Sequence, residues 1–99
     1  MEYEDKLPEL IKAYPRLFKG AAPGCYSWVY AGWYQLVDEL CRRLNTELSD
    51  AEVAQIEIRQ IKEKFATLRF YVSAPESIRV RMRMIIADGT TRSFLFFNR

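Results

Sequence analysis

The chain has 99 residues, 49% of them hydrophobic and 28% charged, which describes one globular domain, residues 1–99, and excludes a disordered tail. Two cysteines are too few for a disulfide scaffold, the opening Met1–Asp5 is acidic, and no apolar run approaches the ~18 residues of a membrane span, so the expected setting is a reducing cytoplasm with no membrane association. The net charge is only +2, and the absence of histidine removes the commonest general base and the commonest zinc ligand.

In chain order, residues 3–14 are expected to be helical, because Leu7, Leu10, Ile11 and Tyr14 fall on one 3.6-residue stripe. Pro8 is tolerated in a first turn, and Pro15 pushes the residue before it out of α geometry and stops the helix. Gly20 to Gly24 is a loop by composition. The following aromatic segment through Tyr30 has no period.

A second helix is expected from Ala31 to Leu48. Trp33, Leu36, Val37, Leu40, Cys41, Leu44 and Leu48 form its apolar stripe, with Asp38–Arg42 and Glu39–Arg43 as i, i+4 pairs on the other side. Cys41 lies within the stripe, so its thiol is expected to be buried and inert. Ser49-Asp50 either ends this helix or caps one further turn through Ala54.

Gln60 to Val72 (QIKEKFATLRFYV) interleaves charged and apolar residues around a short break at Ala66-Thr67, as in a half-buried hairpin. Ile56 and Ile58 have the opposite parity to Ile61 and Phe65, so either the strand is covered on both sides or a β-bulge near Arg59-Gln60 shifts the pleat; the bulge is preferred. Leu68, Phe70 and Val72 define the inward side of the returning strand.

Residues 76–88 fit two patterns. Ile78, Val80, Met82, Met84 and Ile86 alternate with three arginines as in a strand. Ser73-Ala74-Pro75-Glu76, however, is a helix opening, and Ile78, Met82, Ile85 and Ile86 share a helical face; the helix is preferred. Arg92 to Phe97 is then a closing strand on the hairpin's edge. The expected fold is α+β: two N-terminal helices packed on a small antiparallel sheet, with a third helix and a C-terminal strand.

No catalytic constellation is visible. Two cysteines 16 positions apart without histidine make neither a tetrahedral metal site nor an activated nucleophile, and GAAPG at 20–24 matches no phosphate-cradling motif. The chain is therefore expected to be no enzyme and to hold no metal or cofactor. Two binding surfaces can be argued instead. Tyr26, Trp28 and Tyr30 lie outside regular periodicity, where such rings anchor protein partners, although a loop folded over a small core would need them too. Lys62, Lys64 and Arg69, with Arg79, Arg81 and Arg83 beyond them, form a basic set suited to nucleic acid, or simply a solvated face. All nine basic residues of the second half lie at or after Arg59, against five acidic ones. If residues 79–83 are helical, only Arg79 and Arg83 share a side. A homodimer through an exposed sheet edge is a further possibility.

GWYQLVDELCRRL (Gly32 to Leu44), QIKEKFATLRFYV and the opening Tyr14-Pro15-Arg16-Leu17-Phe18 together resemble a family of short uncharacterised bacteriophage and prophage proteins. The likeness implies an accessory protein acting in the bacterial host on a host or phage protein, an inhibitor of host defence being one form. Ala66 stands where the family usually has glycine. Phe94 and Phe97 occupy places comparable to the family's paired-cysteine segment, so no metal site is carried over.

Overall fold

The computed structural model describes residues 5–21, 23, 27–64, 67–86 and 94–98, with residues 64 and 98 described through their backbone alone. The fold is α+β. Helices α1 (Leu7–Ala13), α2 (Pro15–Phe18), α3 (Ala31–Glu47) and α4 (Asp50–Val53) precede strands β1 (Glu57–Lys64) and β2 (Thr67–Ser73), followed by α5 (Glu76–Ile85) and β3 (Leu95–Asn98).

The first expected helix is shorter than its sequence stripe and is followed by a separate turn, α2, beyond Tyr14. Pro15 divides them, and Tyr14 at the junction has φ −129° and ψ 60°, outside helical geometry. Asp5 secures the start of α1, its Oδ1 accepting the N–H groups of Leu7 at 3.0 Å and Val29 at 2.9 Å. Ser49 caps α4 in a reciprocal box with Glu52, so the further turn forms.

Helix α3 has no basic residue in its last turn, although its final carbonyls lack intrahelical donors. Two arginines from other elements supply them. The Arg16 guanidinium donates to the carbonyls of Asn45 and Leu48, and Arg81 Nη2 donates to that of Glu47 at 2.6 Å. Cations at a helix C-terminus also oppose its negative dipole end. The α2 turn and α5 are thereby tied to the same corner.

The sheet order is β1-β2-β3. Strands β1 and β2 are antiparallel, and their register shifts between Ile58 and Gln60. Arg59 is the extra residue of the expected bulge, which lets both Ile58 and Ile61 face the core. Leu68, Phe70 and Val72 alternate inward as expected. The expectation of an antiparallel sheet needs correction: β2 and β3 are parallel, so the sheet is mixed. Residues 74–94, α5 among them, lie between β2 and β3 in sequence, long enough for the crossover that parallel neighbours require.

One core gathers the inward sides of α1, α2, α3, α4, β1, β2 and α5. Phe70, Ile61, Leu40, Leu44 and Met82 are fully enclosed in it, each such side chain stabilising the fold by about 1.5–3 kcal/mol relative to exposure. Asp38, expected to pair with Arg42, instead accepts the Tyr14 hydroxyl at 2.7 Å, whereas Glu39 and Arg43 do pair, at 3.5 Å. Among the described residues no helix is long and apolar enough to cross a membrane.

Candidate functional site

Pleating assigns the two sides of the sheet. Ile58, Ile61, Leu68, Phe70 and Val72 face the helices. The register then puts Gln60 opposite Tyr71, Lys62 opposite Arg69, and Tyr71 beside Phe96 on the other side, where Phe96 is exposed and the others are half-buried.

That open side combines rings with cations. Tyr71 and Phe96, on adjacent parallel strands, have centroids 5.4 Å apart at 39°. The Arg69 guanidinium lies 5.3 Å from the Phe96 centroid, and Lys62 Nζ lies 5.9 Å from that of Tyr71. Phe96 remains 36% exposed, among the most exposed large apolar side chains described. Arg69 Nη1 reaches the Tyr71 hydroxyl only at 3.4 Å, and its Nε is buried without an acceptor among the described residues.

The charge arrangement opposes stability. Like charges directly opposite on neighbouring strands destabilise a pair by roughly 0.2–1 kcal/mol, yet Lys62 faces Arg69 across the ladder. Glu57, at the far end of the hairpin, is already held by Arg59 at 3.0 Å.

The remaining sequence candidates separate. Arg81 is bound to Glu52 at 2.7 Å and to the end of α3, so it belongs to the corner. Arg79 and Arg83 share one side of α5 and lie 5.7 and 4.8 Å from the Phe97 ring, which has the core-facing parity. Arg79 Nε also donates to the Ala74 carbonyl at 2.7 Å. The three therefore do not join Lys62 and Arg69. The Lys64 side chain and all of Tyr26 lie outside the described residues. Trp28 and Tyr30 are half-buried with ring centroids 4.4 Å apart. Trp28 donates its N–H to the Ile61 carbonyl at 3.0 Å, so this segment runs along the outer edge of β1. Val29 between them is buried, and alternation turns both rings away from the core.

Tyr71 and Phe96 were not among the sequence candidates. For Tyr71 a signal existed, since it breaks the parity of Leu68, Phe70 and Val72. For Phe96 none did until the direction of β3 was known.

A groove of about 410 Å³ between α2 and the start of β1 is lined by Leu17, Phe18, Ile56 and Ile58, with Lys19 and Glu57 among its polar groups. Lys19 Nζ donates to the Ile56 carbonyl at 2.6 Å and Glu57 holds Arg59, so neither is poised toward a ligand. Among the described residues no three His, Cys, Asp or Glu side chains converge as a metal site. Cys41 is free and buried, and burial, reinforced by the Asp38 charge, pushes its thiol well above the ordinary range. Burial and the hydrogen bond to Asp38 likewise push the Tyr14 phenol up.

No protein-family model, no curated protein and no solved structure matches the chain.

Proposed function

We propose that the chain is a non-enzymatic accessory protein of bacteriophage or prophage type, acting in the bacterial cytoplasm, and that it binds nucleic acid through the open side of its sheet. The resemblance of its helix and hairpin motifs supports the origin. The binding reading is carried by one observation: Lys62 and Arg69 stand opposite each other beside the Tyr71–Phe96 ring pair. Phosphates would relieve the repulsion between the two cations.

A salt titration of binding tests this. Two phosphate contacts give a slope of about −1.4 to −1.8 in log affinity against log salt, and replacing both Lys62 and Arg69 with alanine should abolish most of it. An absence of binding at low salt would remove the reading.

The Trp28–Tyr30 ring pair at the β1 edge favours a second reading, a host or phage protein held there with Tyr26. Its test is capture of one stoichiometric companion by tagged protein from host lysate, lost in Trp28→Ala. A homodimer through β3 would pair the edge Leu95–Asn98, and sedimentation would detect it.

A further inference from the structure

We infer that the ligand of the open face is single-stranded nucleic acid, with Tyr71 and Phe96 as the stacking residues. This rests on the nucleic-acid reading and narrows it. The two rings come from neighbouring strands of a three-stranded sheet, side by side and tilted by 39°, so each offers a π-face to its own base. Every base has such a face, but a base inside a duplex has already given both of its faces to its neighbours. An aromatic pair on an open sheet therefore adds affinity only for bases taken out of a stack. Sheet-borne rings used in this way accommodate two or three bases.

The cations suit the same ligand. Arg69 and Lys62 rest against Phe96 and Tyr71, at 5.3 and 5.9 Å. Both cations are thus within reach of the backbone of a strand whose bases stack on these rings. Duplex readers, in contrast, insert a helix or a two-stranded ribbon into a groove, and these four side chains belong to a three-stranded open face. The two facing cations argue for a phosphate-bearing occupant.

The test uses the full chain and fluorescence polarisation at low salt, with labelled oligothymidylate, oligouridylate and a mixed-sequence duplex as probes. Tyr71→Leu and Phe96→Leu keep apolar bulk on the sheet and remove the π-face, and circular dichroism verifies that each variant folds. The expected result is tighter binding of a single strand than of the duplex. Each leucine variant should weaken single-strand binding by about 5- to 150-fold, with Tyr71→Phe within about twofold of the parent. Suppose instead that the duplex binds equally well and the leucine variants match the parent, while Lys62→Ala and Arg69→Ala flatten the salt dependence. The single-strand inference is then overturned and the nucleic-acid reading stands. Failure of all three probes to bind overturns both.

Discussion

Arg16 offers the sharpest test of how the corner is held. Its guanidinium donates to the carbonyls of Asn45 and Leu48, to Asn45 Oδ1 at 3.2 Å and to Asp50 Oδ1 at 2.8 Å. The ion pair with Asp50 is the weak part, because that carboxylate is 92% exposed and such pairs contribute only about 0–1 kcal/mol. The two main-chain contacts matter more. They satisfy carbonyls at the end of α3, and a charged donor to each is worth about 1.5 kcal/mol at the low end of the usual range. Arg16→Met keeps the stem and removes the donors, so the expected loss is about 2–3 kcal/mol. For a domain of this size that lowers the melting temperature by about 8–24 °C. Urea titration followed by circular dichroism would measure the loss at an unchanged m-value. Asp50→Asn should cost much less, and Arg16→Lys should recover under half, since an ammonium cannot span the fork. Arg16→Met within ~0.5 kcal/mol of the parent, or Asp50→Asn as damaging as Arg16→Met, would refute the assignment.

Two further outcomes follow from the ionisable groups. The hydrogen bond from the Ser49 backbone, assisted by Arg81, holds the Glu52 carboxyl below its ordinary value of 4.5; its stabilisation is thus present above that pH and lost as pH falls through the lower folded value. Glu52→Gln should therefore be less stable than the parent near neutrality, with the gap closing toward pH 3 in parallel denaturation curves. In a Cys25→Ser variant, Cys41 is the sole remaining thiol and should resist a thiol reagent at mildly alkaline pH in the native state, then react fully in denaturant; rapid native labelling would contradict its burial.

The local periods of the chain determined most of the elements. The stripe from Trp33 to Leu48 yields α3, the alternation of Leu68, Phe70 and Val72 yields the inner side of β2, and the parity conflict between Ile58 and Ile61 locates the bulge. Each is legible because a side chain's burial follows the repeat of its own element. The ambiguous stretch at 76–85 became helix, and only the folded chain then decided that β3 runs parallel to β2. Strand direction depends on what a crossover does in space, and no residue in RSFLFF encodes it. The open face had the same origin. Lys62 and Arg69 were visible as basic residues, but their meeting across one ladder, the arrival of Phe96 beside Tyr71, and the diversion of Arg81 to the end of α3 are contacts between segments distant in sequence. Periodicity tells a residue which way to point; tertiary pairing decides what it meets there.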